Sequence, residues 1–331
     1  MSEYLEMSQE EQIALVQEFA LDSLAQYGMT AKQIECVNHA YNTTFKFVAE
    51  DDKAYALRVG TNFRKWPEHV WAESQWLLDL AREGSINAPV PILNLQGEPY
   101  SNQYFFYQGS NIDVMIYPWI EGEVVDKDPT DEQLFALGAA MAKLHQLGKG
   151  FKPTGYANFL DVDRPLMVRR DNLFSFPQPL ITPELYALLA ELRDRSAKLF
   201  DSFTERFERQ LIHADLHFGN IVYNGEKMSI LDFDDAGIGF PQQDLAISIF
   251  YLREDREREK HLLAGYQSVA PLPTYEPEEL ELLIANRQLV LLNYLFESTT
   301  ADEVAMVPGY LEKSERRIKH FFETGEFALL M

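Results

Sequence analysis

One stretch, residues 211–235, limits the possible folds of this chain more than any other part. It reads LIHADLHFGNIVYNGEKMSILDFDD. Two short β-prone runs flank Asn224-Gly225, and this dipeptide between such runs is the strongest short-range signal for a β-hairpin. The start of the first hairpin arm and the end of the second lie at the same end. We therefore expect Asn220 and Asp232 to lie together, although they are twelve positions apart.

Three oxygen-bearing side chains of this stretch suggest a chemistry. An amide and a carboxylate, Asn220 and Asp232, are hard ligands suited to Mg²⁺, which keeps waters and substrate phosphates in its other positions. Asp215 precedes Asn220 by five residues and is a candidate general base for a hydroxyl. An isolated Asp in a loop is usually a turn or cap residue. The ordered set His-x-Asp-x(4)-Asn, hairpin, Asp-Phe-Asp is typical of kinase catalytic loops and predicts phosphoryl transfer.

The remaining patterns divide the chain into two parts. Up to Gly122 they predict a capped helix after Ser8, a helix over about 67–82, and five short strands. From Thr130 onward helices dominate, over about 130–148, 182–209, 244–266, 277–296 and 308–322. Pro118 and Gly122 mark the change of direction. We predict an α+β fold with a small β-rich N-terminal lobe (residues 1–116), a hinge (117–122) and a larger, mainly helical lobe (123–331).

Composition excludes several classes of protein. The 331 residues carry 52 Asp and Glu against 29 Lys and Arg, a formal charge of −23, which argues against a nucleic-acid partner. The single cysteine, Cys36, excludes an internal disulfide framework and a multi-cysteine metal site. The first thirty residues lack a signal-peptide pattern, and no apolar run reaches about 18 residues. These features predict a cytoplasmic protein without a membrane partner.

Several motifs together resemble one superfamily. HADLHFGN at 213–220 and LDFDDAG at 231–237 are similar to its HGDLHPGN and IDFDDAG, and the helix LGAAMAKLH at 137–145 also matches. The chain thus resembles the aminoglycoside phosphotransferase/choline kinase-like superfamily, closest to the branch with type II homoserine kinases and bacterial stress-response Ser/Thr kinases. The resemblance implies a bilobal protein-kinase-like fold with one regulatory-type helix in the small lobe, and use of ATP and Mg²⁺. Asp215 would be catalytic, with Asn220 and Asp232 binding the metal.

The resemblance also implies a nucleotide site. Arg58 takes the place of the family's phosphate-binding Lys, and Glu73 would hold it towards the phosphates. The phosphate-covering loop, residues 38–44, contains no glycine. The predicted nucleotide contacts in this loop and in the adenine edge of the hinge are Asn42, Thr43, Met115, Tyr117, Trp119 and Ile120. Two departures lie beside the catalytic residues, since Ala214 replaces a usual Gly and Phe218 a usual Pro.

Other polar residues have plainer interpretations. We expect His213 to orient Asp215, His145 to be a core or interlobe histidine, and Asp244 to accept hydrogen bonds from backbone near the catalytic loop. Asp234 and Asp235 fit turn carboxylates or a second Mg²⁺ equally well. The charged run 253–260 predicts an exposed, salt-bridged helix face.

The predicted activity is transfer of the γ-phosphoryl group of ATP to a hydroxyl acceptor, a small and possibly amine-bearing alcohol. One alternative is a Ser/Thr protein kinase of the bacterial stress-response type, and a second is a catalytically silent nucleotide-binding scaffold. A third is a hydrolase or oxygenase with a transition metal on His213, Asp215 and His217. We expect the acceptor pocket to form from residues 152–179 and the helices after Asp244. The sequence leaves the oligomeric state open.

Overall fold

A computed structural model describes residues 2–62, 66–125, 128–167, 170–175, 178–225 and 227–330. Its N-terminal part is built around a five-stranded antiparallel sheet of strand order β1-β2-β3-β5-β4. The strands are β1 Ala31–His39, β2 Thr43–Ala49, β3 Ala54–Val59, β4 Ser101–Phe105 and β5 Ser110–Pro118. The helices of this part are α1 Ser2–Leu5, α2 Gln9–Ser23 and α3 Pro67–Glu83.

Alternating burial explains how this sheet packs. Along β2, buried residues alternate with half-buried ones, as expected for a strand with one face against a core. Phe45, Phe47 and Leu57 are fully buried and belong to one cluster with Val16 and Ala20 of α2. Helix α2 begins at the predicted capping box, in which Ser8 and Glu11 exchange hydrogen bonds with each other's backbone.

Helix α3 connects the sheet to the helical part. Pro67 opens it, and Gly84, with a φ of +80°, ends it. Its buried residues Val70, Trp76 and Leu77 belong to the large cluster that also fills the helical part. The helix that carries Glu73 is therefore held by both parts of the molecule.

The helical part holds six helices within the described ranges and two small sheets. The helices are α4 Asp131–Gly150, α5 Pro183–Arg206, α6 Pro241–Phe250, α7 Glu259–Gln267, α8 Pro277–Leu295 and α9 Ala301–Thr324. Strands β6 Glu123–Val124, β8 Ile221–Tyr223 and β9 Met228–Ile230 form one sheet, and β7 Gln210–Ile212 pairs with β10 Gly237–Gly239. A small β-rich part and a larger helical part confirm the predicted α+β class.

Close helix packing explains part of the LGAAMAKLH motif. A Cβ at Gly138 of α4 would collide with the Leu262 carbonyl oxygen of α7, and one at Gly265 of α7 would collide with the Phe135 carbonyl oxygen of α4. Both positions therefore require glycine because the two helix backbones touch there.

Two helix predictions were wrong. The single helix predicted over 244–266 is two helices, α6 and α7, separated by a turn. Arg253 lies in this turn with its side chain 1 % exposed, paired with Glu281 at 2.8 Å, so the first residue of the run 253–260 is not exposed. The rest of the run agrees better with the prediction, since Glu254, Asp255, Glu257 and Lys260 are exposed and Lys260 pairs with Glu257 at 2.9 Å. Helix α9 begins at Ala301, and Pro308 lies inside it instead of opening it.

No helix in the described ranges combines the length and the apolar character that a membrane crossing requires.

Candidate active site

A cleft of about 550 Å³ lies between the sheet and the helical part. The phosphate-covering loop, strand β3, helix α3, the hinge and the β8–β9 hairpin all contribute to its walls. Nine of the residues predicted from the sequence line it. They are Asn42, Arg58, Glu73, Tyr117, Trp119, Ile120, Asp215, Asn220 and Asp232.

The loop that carries Asp215 is held in place by one buried carboxylate. Asp244 of α6 is fully buried and accepts hydrogen bonds from the backbone N–H groups of His213 (2.9 Å) and Ala214 (2.6 Å). His145 Nε2 of α4 lies 3.0 Å from Asp244 Oδ2. These contacts confirm the structural roles expected for Asp244 and His145, because neither side chain needs to reach a substrate to hold the loop in place.

The hairpin brings the second and third residues of the motif to the cleft. Its arms pair antiparallel, as expected, with Ile221 opposite Ile230, and the N–H of Leu231 donates to the Asn220 carbonyl at 2.8 Å. The side-chain NH₂ of Asn220 donates to Asp215 at its carbonyl oxygen (2.9 Å) and at Oδ2 (3.2 Å). The amide oxygen of Asn220 is therefore directed away from Asp215, as a metal ligand requires.

The guanidinium of Arg58, on strand β3, lies among three carboxylates of the cleft. Its guanidinium lies 3.4 Å from Glu73, 3.3 Å from Asp232 and 3.8 Å from Asp234. Burial alone would lower the pKa of Arg58, but Tyr117 and the surrounding carboxylates raise it well above its usual value. The cation is therefore permanent, and Glu73, which is 1 % exposed, is its buried partner.

Asp232 lies where negative charge is crowded. It adopts a left-handed conformation, with a φ of +60°. Burial raises the pKa of Asp232 well above its usual value, and the nearby Asp234 raises it further. A divalent cation would relieve this crowding, and Asn220 and Asp232 supply the oxygen ligands that Mg²⁺ prefers.

The described residues contain no group of three His, Cys, Asp or Glu side chains arranged to hold a metal. A transition-metal centre on His213, Asp215 and His217 would need a ring nitrogen of His213 as a ligand. The His213 ring instead contacts backbone, with Nε2 3.0 Å from the Leu231 carbonyl oxygen and Nδ1 3.3 Å from the Asp215 amide nitrogen. A magnesium ion that takes most of its ligands from phosphates and water needs no such protein cluster.

Two predicted nucleotide contacts are placed differently from the rest. Thr43 is fully buried and its Oγ1 lies 2.7 Å from His39 Nδ1, whereas its neighbour Thr44 lines the cleft. The side chain of Thr43 therefore contacts His39 of the neighbouring strand β1 and does not face the cleft. Met115 is also buried, and its sulfur accepts a hydrogen bond from Arg58 Nη2 at 3.1 Å.

Two residues next to Asp215 were not found by sequence reasoning. Arg287 of α8 donates from Nη2 to Asp215 Oδ1 and to the Tyr251 hydroxyl at 3.1 Å. Tyr251 also stacks on His217, with ring centroids 4.3 Å apart. Burial lowers the pKa of His217 to about 4, so this ring is neutral near pH 7. In the sequence, Arg287 is the one Lys or Arg of helix α8, and it lies between Asn286 and Gln288.

The chain is similar in sequence to known kinases. Amicoumacin kinase of Bacillus subtilis (strain 168) is 27 % identical over 237 residues, which cover 69 % of this chain but only 66 % of that relative. Homoserine kinase of Methylobacterium sp. (strain 4-46) is 28 % identical over 338 residues, covering 97 % of this chain and 94 % of that protein.

A solved structure supports the fold. The amicoumacin kinase hAmiN, in complex with AMP-PNP, Ca²⁺ and Ami, superposes with a TM-score of 0.69 at 20 % identity, covering 92 % of each chain. The fold is therefore the kinase-like one that the resemblance implied. Residues 34–281 match the phosphotransferase enzyme family, and this match extends from the first strand through the catalytic loop to the start of helix α8. The chain belongs to the phosphotransferase enzyme family.

Proposed function

We propose that this protein transfers the γ-phosphoryl group of ATP to a hydroxyl group of a small molecule. The observation that carries the proposal is the convergence of Asp215, Asn220 and Asp232 on one cleft that also contains the buried Arg58–Glu73 pair. General base, metal ligands and phosphate-binding cation are the parts that kinase chemistry needs. A silent scaffold would not require all of them.

Each residue has a defined part in this reaction. Asp215 accepts the proton of the acceptor hydroxyl as its oxygen forms a bond to the γ-phosphorus and the bond from that phosphorus to ADP breaks. Asn220 and Asp232 would hold Mg²⁺, which neutralises charge on the phosphate oxygens when bound. Arg58, held by Glu73, binds phosphate oxygens, and its planar guanidinium can contact two of them at once.

The hinge residues are assigned to the base of the nucleotide. Tyr117, Trp119 and Ile120 line the same cleft as Arg58. Tyr117 lies in β5 and the other two follow it, and Met115 of the same strand pairs with Arg58 in the sheet. This register supports assigning the hinge to a position next to Arg58. Asn42 lies across the cleft, where its side-chain NH₂ donates to Asp234 Oδ2 at 3.1 Å, and we assign it to the phosphates together with Thr44.

A small alcohol that carries an amine is the proposed acceptor. Besides Glu73 and Asp232, the carboxylates of Asp215, Asp234 and Asp235 line the cleft, and the protein has a formal charge of −23, so its field attracts cations. The names of the relatives support a small acceptor, since homoserine kinase acts on an amino acid that bears a hydroxyl group. A protein Ser or Thr is the competing acceptor.

The test is a screen of ATP consumption in the presence of Mg²⁺. The acceptors are amino alcohols, homoserine, aminoglycosides and a generic Ser/Thr protein substrate, and mass spectrometry identifies the phosphorylated product. We expect a phosphate ester of one small-molecule class, formed by the wild-type protein and not by Asp215→Asn. Labelling of the protein substrate alone would contradict the small-molecule acceptor. ATP binding without turnover in the whole screen would favour the scaffold.

A further inference from the structure

Asp215 is held by a cation that no motif in the sequence marks. Arg287 lies 72 positions further along the chain, on helix α8, and its Nη2 donates to Asp215 Oδ1. The Arg287 side chain is 5 % exposed. Removing a guanidinium from water is costly unless a carboxylate and hydrogen bonds compensate for it. The contact with Asp215 is therefore a buried ion pair of the folded protein and not an exposed surface pair.

The contacts on the two carboxylate oxygens differ. Oδ1 of Asp215 is held by Arg287, whereas Oδ2 accepts from the side-chain NH₂ of Asn220 at 3.2 Å. His217 Nε2 lies further away, 3.8 Å from Oδ2. With one oxygen tied to helix α8 and the other to the hairpin, the plane of the carboxylate is fixed between two separate elements.

Tyr251 contacts both Arg287 and the loop that carries Asp215. Its hydroxyl accepts a hydrogen bond from the same Nη2 of Arg287 at 3.1 Å, and its ring stacks on His217 at 4.3 Å between centroids. Asp215 and His217 are two residues apart in one loop, so the guanidinium is linked to that loop directly through Asp215 and indirectly through Tyr251. The rotamer of Arg287 is thereby restricted, which a residue that orients another side chain requires.

We propose that Arg287 is a positioning residue for the phosphoryl transfer, and this inference rests on the proposed function. Through Oδ1 it sets the angle at which Asp215 meets the acceptor hydroxyl, without touching the nucleotide. Proton transfer needs a heavy-atom separation of about 2.6–3.2 Å, and a misplacement of about 1 Å can lower a rate about 100-fold. Loss of Arg287 therefore acts on turnover rather than on ATP binding.

The test compares Arg287→Met, Arg287→Lys and Tyr251→Phe with the wild-type protein, using the acceptor found in the screen. We expect Arg287→Met to lower kcat about 100-fold and to change the KM for ATP less than about threefold, since the hydrogen bonds of Arg287 to the described residues go to Asp215 and Tyr251. Arg287→Lys keeps a cation and should recover at least about tenfold of the lost kcat. Tyr251→Phe should have a smaller effect in the same direction.

Arg253→Met is the matched control. Arg253 is also a buried guanidinium, with its side chain 1 % exposed and carboxylate partners Glu281 at 2.8 Å and Glu259 at 3.0 Å, but it does not touch Asp215. We expect this variant to lose stability while its folded fraction retains the wild-type kcat. If Arg287→Met fails to fold, Arg287→Lys and Tyr251→Phe still test the proposal through the split between kcat and KM.

Three outcomes would overturn the inference. An Arg287→Met protein with kcat within twofold of wild type would show that Asp215 needs no positioning cation. An unchanged kcat with a raised KM for carboxylate-bearing acceptors alone would assign Arg287 to the acceptor, through its buried Nε–H, which has no hydrogen-bond partner in the described part of the chain. A higher kcat of Arg287→Met than of the wild-type protein would show that the Arg287–Asp215 pair inhibits the reaction.

An acceptor-free measurement separates this inference from the proposed function. In a double-mutant cycle of Asp215→Asn and Arg287→Met, followed by urea unfolding, we expect a coupling of at least about fivefold in the unfolding equilibrium constant. Absence of coupling contradicts the inference whether or not an acceptor is known. Absence of phosphoryl transfer by the wild-type protein, with coupling present, contradicts only the proposed function.

Discussion

Arg58 Nη1 lies 3.3 Å from Asp232 Oδ1 and joins the sheet to the catalytic hairpin. The two residues are 174 positions apart, one on β3 and the other just after β9. The Arg58 side chain is 12 % exposed and that of Asp232 is 38 % exposed, so solvent screens this pair in part. Arg58, the cation proposed to bind phosphate, bridges Glu73 and Asp232, the carboxylate proposed for the metal.

Replacing Arg58 by Met should weaken nucleotide binding. We expect the Kd for ATP with Mg²⁺ to rise about tenfold to 100-fold, which corresponds to about 1.5–3 kcal/mol for charge-assisted hydrogen bonds. Isothermal titration calorimetry measures this change directly. Lys53→Met is the control, because Lys53 lies in the β2–β3 turn with its side chain 73 % exposed. An unchanged Kd for Arg58→Met would remove Arg58 from the nucleotide site.

Replacing Asp215 by Asn should abolish turnover and leave nucleotide binding intact. The substitution removes the proton acceptor but preserves the size of the side chain, and general-base catalysis contributes about 10²–10⁴ to a rate. We expect kcat to fall at least about 100-fold, with the Kd for ATP within threefold of wild type. Asp113→Asn is the matched control, since Asp113 of strand β5 is 8 % exposed and accepts a hydrogen bond from the side-chain NH₂ of Asn102 at 2.6 Å. Equal losses in both variants would contradict a catalytic role.

His217 should make the protein less stable in acid. Burial lowers its pKa from 6.5 to about 4 in the folded protein, so the unfolded chain takes up a proton at a higher pH than the folded one. Stability is then full above about pH 6.5 and falls as the pH drops towards 4, by about 3 kcal/mol over that interval. Urea unfolding of the wild-type protein and His217→Asn at pH 7 and pH 5 measures this difference.

In His217→Asn the loss of stability between pH 7 and pH 5 should be smaller, even though the stacking on Tyr251 is lost at both values. His320→Asn, on helix α9, should keep the wild-type pH dependence because His320 lies outside this cluster. If His217→Asn and the wild-type protein lose the same free energy of unfolding, the neutral His217 ring does not contribute to acid sensitivity.

The sequence was most informative where a local rule set the geometry. Asn224-Gly225 fixes the hairpin turn, and the turn alone brings Asn220 and Asp232 into one cleft. The link between Arg58 and Glu73 came from the family resemblance and is present at 3.4 Å. Arg287 could not be found in this way. Its contact with Asp215 depends on how helix α8 packs, and no motif or characteristic spacing in the sequence links the two residues.

Within residues 253–260, the charge pattern was misleading for Arg253. Alternating signs predict an exposed helix face because ion pairs between neighbours on one helix produce that pattern. Arg253 instead pairs with Glu281 of helix α8 in the interior. A cation paired with a distant residue has the same local sequence as one paired with its neighbour, so only the tertiary structure distinguishes the two.

Ala214 provides a test of backbone strain in the catalytic loop. It has a φ of +64°, a left-handed conformation that costs a residue with a Cβ about 1–2 kcal/mol. This explains why the family pattern has glycine at this position. The strain is held by the 2.6 Å hydrogen bond from its N–H to Asp244, and the residue is fully buried.

Ala214→Gly relieves this strain but loses a buried methyl group and loosens the unfolded chain. We therefore expect its free energy of unfolding to stay within about 1 kcal/mol of wild type.

Ala214→Val adds a β-branched side chain to a conformation that such residues avoid, and it overfills a buried position at a cost of about 1–3 kcal/mol. Ala246→Val is the control, because Ala246 is buried in helix α6 at ordinary helical geometry. Urea unfolding should show Ala214→Val to be less stable than Ala246→Val by about 1–2 kcal/mol. Equal destabilisation would mean that overfilling alone is measured and that the left-handed backbone of the catalytic loop carries no strain.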